Sequence, residues 1–571
     1  MTVVVCLFSP DGAQAAALPG GDLVQLDYGK KFGLAVLTPH ELFLLKNTGE
    51  WTEAGFWGRG ETLSSIAMGT KVLLVGTDSG RILRSENGVD FAKMTSPKDP
   101  FGRGVAPIKY LAADPKGRII AASSGLGLVV SRDGGTSWEA VSEPFWSKAE
   151  AREILHLGFV KGVLIVVTRN GVYSASGDRF SAFNDGLPDK PFITSAASEN
   201  GRMLISVSGE GIYLAKNVNS WSRLQTTPAG PISFLGFTKK GYLAARSFSR
   251  VHSGDSKGKA WKPVGTGSPD FMPFSSVNSK RGTYLALRGM GLARLQGEKF
   301  EYEPLPRSLV EIYTELDVNG TTVVGTQAGV FRSTDSGKSW SDVTPPDLGK
   351  RVNTIIKVSD GRLLLGSDGL GVFVSSDDGE IWISWSRGLG TANTIEELIQ
   401  VGSRILAATE NGLMVTDLTP TPQWQSLETG VGRNAVRSLF FSKGRIWAAA
   451  VSGVYSASEN LKFTRVKGLE NVNSSIYVED NILAIPAGNS VLVRDAQGQV
   501  EKLNPLPGGA LPTSVLIRSG TVWAGSSRGL FRLVDGTWAD VSEVPFPVKA
   551  MKAYKDRISV VTEGAGTYYL K

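Results

Sequence analysis

The sequence predicts an all-β protein made of two tandem seven-bladed β-propellers, fourteen four-stranded blades in all. Three observations predict it. Glycine makes up 68 of 571 residues without any collagen-like period, the composition of a chain with many tight turns. Pairs of short apolar strands recur about every forty residues, each pair joined by a turn that ends in glycine, as in LLVGTDSGRILRS, TVVGTQAGVFRS and VWAGSSRGLFRL. The octet Ser-x-Asp-x-Gly-x-x-Trp is written three times, at 131–138, 333–340 and 375–382. A catalytic motif is usually written once, and a repeated one is more often architecture.

The turn glycines are Gly80, Gly127, Gly171, Gly211, Gly291, Gly329, Gly371, Gly412, Gly453, Gly529 and Gly566, spaced by 47, 44, 40, 80, 38, 42, 41, 41, 76 and 37 residues. Glycine supplies the positive φ that two-residue hairpins require. The two doubled spacings hold repeats that lost their glycine, near SFSRVHSGD and PAGNSVLV, and one more repeat, GLAVLTPHELFLLKNTGEWTEAG, precedes Gly80. Each unit reads as four strands: an inner one such as TSVLIRSG, then TVWAGS, then LFRLVDG, then an outer strand opening on an aromatic, TWADVS. Four strands per ~40 residues is the blade of a propeller, and fourteen blades divide most simply into two rings. Two prolines in EYEPLPRSL (301–309) interrupt the strands. The first propeller is therefore placed at 22–305 and the second at 306–571. A solenoid of stacked sheets is the other architecture the repeat allows.

Composition excludes several functions. The single cysteine, Cys6, and the three histidines, His40, His156 and His252, rule out a disulfide framework and zinc sites built on Cys or His clusters. No phosphate-binding loop, dinucleotide fingerprint or nucleophile elbow occurs, and no cofactor or metal is expected. No run approaches the ~20 apolar residues of a membrane helix. The N-terminal MTVVVCLFSPDGAQAAALPGG (1–21) pairs a short apolar run with a small-residue segment but lacks a basic start. It reads as a truncated secretory signal or extension, which implies an exported protein, periplasmic or extracellular, or else as a strand that joins the fold.

In the octet, a turn Asp can accept bonds from nearby backbone N–H groups, the glycine permits a left-handed residue, and the Trp opens the next strand. Ser131, Asp133, Gly135 and Trp138, Ser333, Asp335, Gly337 and Trp340, and Ser375, Asp377, Gly379 and Trp382 are accordingly assigned structural roles. Degenerate copies stand at 85–91 and 253–261. The octet resembles the Asp-box, or BNR repeat, of sialidases, sortilin-type receptors, xyloglucanase-type glycosidases and photosystem II stability/assembly factors. GTQAGVFRSTDSGKSWSDVTPP (325–346) is most similar in wording to the assembly-factor repeats. The double seven-bladed layout also resembles the xyloglucanase type, which implies a glycan cleft between two rings. The sialidase Arg-Ile-Pro segment is absent. WD40 repeats are excluded because three histidines cannot supply fourteen Gly-His pairs.

A glycosidase needs two carboxyls in distinct roles. Glu153, Glu311, Glu315, Glu396 and Glu397 lie on inner strands, but neither aspartate segment of the xyloglucanase type is recognisable. Charge gives a second lead. Of 61 basic and 54 acidic residues, 26 and 27 fall in 307–571, leaving 35 and 27 in the first part, a net of +8. The excess concentrates at Lys239, Lys240, Arg246, Arg250, Lys257, Lys259, Lys262, Lys280, Arg281, Arg288 and Arg294, opposed in 237–294 by Asp255 and Asp270 alone. Such a field favours encounter with an acidic partner. No aromatic-basic interleaving points to nucleic acid. The expected function is a non-catalytic platform that binds a protein partner, through an acidic face of a membrane complex, with peripheral membrane contact. Glycan hydrolysis or binding is the alternative.

Overall fold

The computed structural model describes residues 3–4, 21–56, 61–93, 107–113, 119–123, 127–133, 137–141, 144–145, 153–177, 179–246, 251–264, 273–306, 308–337, 339–345, 348, 351–427, 430–469, 475–554 and 557–570. Among them there is no α-helix, and the single helical turn is a 3-10 turn at Pro507–Gly509. Each of the fourteen sheets described has four antiparallel strands, and in thirteen of them the strands pair in chain order. Short strands joined by glycine-bearing turns can form little else, because each finds its partner in the next segment of chain.

The sheets fall into two units, residues 21–307 and residues 308–571 together with the N-terminal strand Val3–Val4. The inner strands of the first unit are Gln25–Gly29, Leu63–Met68, Ile108–Ala113, Ile154–Val160, Ile193–Glu199, Phe234–Phe237 and Pro273–Asn278. Each packs against the inner strand of the next sheet, and the seventh packs back on the first. In the second unit they are Ile312–Val318, Val352–Lys357, Ile395–Val401, Val436–Ser442, Tyr477–Glu479, Pro512–Arg518 and Val548–Ala553, and the last again meets the first. The last sheet of this unit takes its fourth strand from the other end of the chain, with Val3 opposite Leu570 and Val4 opposite Tyr569.

The core is a series of seams between sheets. Second strands such as Leu73–Thr77 and Leu363–Ser367 are buried at every position, so they read as continuous apolar runs rather than alternating ones. One seam joins Val318, Val323 and Val330 of the eighth sheet to Val352, Leu363 and Phe373 of the ninth. Ten of the eleven turn glycines have positive φ, the exception being Gly171. Gly329 shows why the position resists change: a Cβ there would stand 2.3 Å from Thr344 Oγ1. The turn of the twelfth sheet, expected to have lost its glycine, has one in Gly488, at φ 62°. The turn of the sixth sheet, at 247–250, lies outside the described residues.

The octets sit between third and fourth strands. Ser375 Oγ donates to Asp377 Oδ1 at 2.7 Å and accepts from Gly379 N at 2.9 Å, while Asp377 Oδ1 also accepts from Ile381 N at 3.0 Å. Burial pushes the Asp377 carboxyl up, but these donors outweigh it and hold the carboxyl low. Ser333 and Asp335 repeat the arrangement with Gly337 N and Ser339 N. Ser131 and Asp133 repeat it with Ser137 N, and Gly135 lies outside the described residues. At 85–91 the same turn is built with Asn87 in the Asp position. Trp382 is buried in the seam between the eighth and ninth sheets, its indole N–H bonded to Gly379 O at 3.1 Å. Trp138 and Trp340 are half-buried, the first against Ala67, Leu74 and Val129, the second against Val310, Val324 and Phe331.

Trp382→Ala should therefore lower unfolding stability by about 3 kcal/mol, the cost of truncating a buried aromatic, and Trp340→Ala by less. Denaturant unfolding of the two variants measures the difference. An unchanged midpoint for Trp382→Ala contradicts the seam role.

Candidate functional site

Because the seven inner strands of the first unit run side by side, they enclose a channel of about 600 Å³. Its walls carry Asp27, Tyr110, His156, Ser198, Glu199 and Asn278. An inner strand has a sheet partner on one side only, so its other edge presents backbone donors toward the neighbouring sheet. Wall side chains take up these donors. Gln25 Oε1 accepts from Ile66 N at 3.0 Å, and the Asp27 carboxylate accepts from Tyr28 N and Met68 N, each at 2.7 Å. Glu199 reaches past the short strand of the sixth sheet to accept from Asn278 N at 3.0 Å and Nδ2 at 2.7 Å. His156 Nε2 lies 2.8 Å from Ser198 Oγ.

Enclosure sets the protonation of this wall. Burial pushes Asp27 up to about 6, against the pull of its two N–H donors, and raises Glu199 despite its bonds to Asn278. Burial pushes the His156 imidazole down to about 4. His156 is thus neutral near neutral pH, while Asp27 is still mostly ionised there.

The interior of the second unit is arranged differently. Glu311 and Glu315 are buried. Glu311 accepts from Lys549 Nζ and from Tyr313 OH, both at 2.7 Å. Glu315 is paired with Arg557 and accepts from Tyr569 OH at 3.0 Å. Burial raises Glu315, the Arg557 charge opposes it, and burial beside Glu315 drives the Tyr554 and Tyr569 phenols up. Glu397 accepts from Thr354 Oγ1 at 2.8 Å and stands 4.0 Å from Lys552 Nζ. Burial raises Glu396, with Arg351 opposing. Glu153, by contrast, is exposed on the first unit and bonded to Arg169 at 2.7 Å. Lys549 and Arg557 belong to the last sheet and its first turn, so the Glu311 and Glu315 pairs lie where the second unit closes on itself, whereas Lys552 faces Glu397 of the tenth sheet.

The basic residues divide between the two ends of the first unit. In a four-stranded antiparallel sheet the first and third turns share one end and the second turn occupies the other. Lys239, Lys240, Lys280 and Arg281 are exposed on first turns of the sixth and seventh sheets, with Lys257 and Lys259 on the third turn of the sixth. Arg246 and Arg288 follow second strands and so lie at the opposite end, and Lys262 is on an outer strand. Arg294 is paired with Glu301 and Glu303, at 3.5 and 3.4 Å. Arg250 lies outside the described residues. Among the described residues no group of three His, Cys, Asp or Glu is placed to hold a metal ion, and no helix is long and apolar enough to cross a membrane.

No protein-family model matches the chain, and no curated protein matches it. Solved structures do. A GH74 xyloglucanase from Xanthomonas campestris is similar with a TM-score of 0.64 at 15% identity, over 97% of this chain and 99% of that one. An ancestral GH74 enzyme is similar with a TM-score of 0.67 at 13% identity, over 100% of this chain and 98% of the other. Likeness at this level of identity shows the fold, a β-propeller, and shows it across the whole chain.

Two outcomes follow from the interior. His156, about 4 when folded against 6.5 in the open chain, contributes stability above pH 6.5 that is lost as pH falls through this window. Asp27, held near 6 against 3.8, acts with the opposite sign between those values. His156→Gln should therefore flatten the acid-side fall in melting temperature relative to wild type, and an identical profile would count against burial of the imidazole. Arg557→Met, which strands the buried Glu315 without its cation, should cost about 3 kcal/mol in denaturant unfolding. A loss under a few tenths would show the pair to be dispensable.

Proposed function

We propose that this chain is a non-catalytic, exported double β-propeller, each unit a ring of seven blades, that serves as a protein-binding, assembly or structural platform for a larger membrane-associated complex. The observation that carries this reading is what the interior carboxylates do. Glu311, Glu315 and Glu397 are held by Lys549, Arg557, Thr354 and Lys552, and Asp27 and Glu199 by backbone and amide donors. Each is occupied in fastening one blade to another, which leaves the exposed turns to meet a partner. The basic turns of the sixth and seventh blades, Lys239, Lys240, Lys280 and Arg281, suit an acidic protein face. The likeness of 325–346 to assembly-factor repeats supports the same role. Export to the periplasm or beyond is proposed from the apolar run and small-residue segment within 1–21, although Val3–Val4 of that run pairs with the last sheet, as the alternative reading of a strand that joins the fold requires.

A second reading is favoured by one specific observation, the likeness to GH74 enzymes over nearly the full length of each chain. It makes the protein a glycoside hydrolase or glycan-binding protein.

Affinity capture of the tagged protein from detergent-solubilised membranes of its source, beside a variant with Lys239, Lys240, Lys280 and Arg281 changed to Glu, tests the first reading. The expected result is a stoichiometric membrane protein retained by wild type and reduced at least tenfold in the variant. The same preparations are incubated with xyloglucan, where no release of reducing sugar is expected. Release by wild type would replace the platform with the hydrolase.

A further inference from the structure

The basic residues on the sixth and seventh blades are part of a larger arrangement. The first turn of each sheet in the first unit joins the inner strand to the second strand, so these turns together surround one mouth of the channel. Five of the six that are described carry exposed basic side chains: Lys30 and Lys31, Lys71, Lys161, Lys239 and Lys240, and Lys280 and Arg281. The sixth, Asn200–Gly201, is neutral, and the turn of the third sheet lies outside the described residues. None of the described turns contains an Asp or Glu.

The turns stand side by side. Lys31 Nζ reaches the Lys71 carbonyl at 3.3 Å, and Lys239 Nζ reaches the Lys280 carbonyl at 3.1 Å. A Cβ on Gly201 would be 3.5 Å from Lys161 N, and one on Gly49 would be 2.7 Å from the Arg281 guanidinium. The lysine contacts are to backbone carbonyls, and among the described residues no salt bridge joins any of the eight cations to a carboxylate. The same turns of the second unit differ. Asn319–Gly320 and Ser519–Gly520 are neutral, Lys443 is paired with Asp480 at 3.1 Å, and Asp360 with Arg362 at 2.7 Å. The excess charge on these first turns thus belongs to one unit and is not a by-product of hairpin chemistry, although the third turns at the same end also carry exposed Glu50, Glu86, Asp90 and Glu298.

We infer that this mouth of the first unit is a docking face for an anionic lipid surface. The six described hairpin tips stand at one end of the inner strands, and seven of their eight cations are lysines, point charges that make no directional demand on a ligand. They are spread around a circle rather than gathered over a cleft. A laterally uniform anionic plane satisfies such a circle wherever it lands, whereas a protein partner of irregular relief would engage only part of it. Juxtamembrane basic residues gain from the surface potential additively and lose that gain with salt. The inference rests on the membrane-associated half of the reading above but not on any captured partner.

The test uses the full-length protein and sedimentation with phosphatidylcholine vesicles, with and without phosphatidylglycerol. Wild type should bind only the anionic vesicles, with an apparent partition that falls steeply between low and physiological salt. Lys71→Glu, Lys161→Glu, Lys240→Glu and Lys280→Glu combined should lose at least tenfold in partition. A control reversing the exposed Arg433, Lys462, Lys467 and Lys502 of the second unit should change it less than twofold. Melting curves of both variants that match wild type keep misfolding out of the comparison. Absence of wild-type binding at low salt, or equal loss in the two variants, overturns the proposal. Vesicle binding without a retained protein would leave this face standing and sink the platform. A retained acidic protein without vesicle binding would do the reverse.

Discussion

Everything in this molecule depends on how an inner strand satisfies its free edge. Each inner strand pairs with one neighbour in its own sheet and turns its other edge toward the next blade. Unpaired buried backbone groups cost as much as lost hydrogen bonds, so side chains must substitute for the missing strand. They do so around both units. Ser275 Oγ accepts from Leu26 N, Gln25 from Ile66 N, Asp27 from Met68 N, Thr314 from Ile355 N, Ser438 from Ile476 N and Thr567 from Ile312 N. In the first and last of these the two residues are 249 and 255 positions apart, and they are the bonds that close each unit.

This constraint explains why polar residues on inner strands mislead when read for catalysis. Carboxylates, amides and hydroxyls at such positions, as at Gln25, Asp27, Thr314 and Ser438, bond the backbone of the next blade. The two units meet the demand with different electrostatics. The first relies on neutral or protonatable groups, so burial leaves Asp27 near 6 and His156 near 4. The second inserts charge and matches it, with Glu311 against Lys549 and Glu315 against Arg557. A buried pair of this kind adds little net stability compared with an apolar seam but penalises any closure that leaves one partner behind. It therefore favours one register for the last blade against the first.

The propeller fold was legible because its determinants are local. A turn glycine and the strands it joins lie within about a dozen residues, and the Ser-x-Asp-x-Gly-x-x-Trp turn closes on itself through bonds spanning four residues or fewer, as at Ser375, Asp377, Gly379 and Ile381. The seams were not legible. The bond from Ile66 to Gln25 spans 41 residues, and nothing in either strand announces the other. The pairing of Val3–Val4 with Thr567–Leu570 spans nearly the entire chain. Of the basic residues, the sequence displayed those crowded between 237 and 294 but hid the rest. Lys30, Lys31, Lys71 and Lys161 look scattered in a linear reading, and only the blade repeat returns them to the same end of the unit as Lys240 and Lys280.

Where the closure constraint stops, variation begins, and this separates scaffold from surface. A residue at a seam answers to a backbone group in the next blade, so its chemistry is prescribed by the fold. A residue at a hairpin tip is less constrained, and the tip demands chiefly a permissive φ, as at Lys161 and Gly162 or Asn319 and Gly320, which have φ of 50° and 82°, and 51° and 80°. The two units use this freedom in opposite ways. They share strand number and turn geometry, yet one carries lysines without salt bridges at these tips and the other neutral or internally paired residues. Folding cannot account for a difference that folding does not require. Clustered like charge raises the electrostatic self-energy of the face that bears it, and the anionic surface proposed above is what would offset that cost.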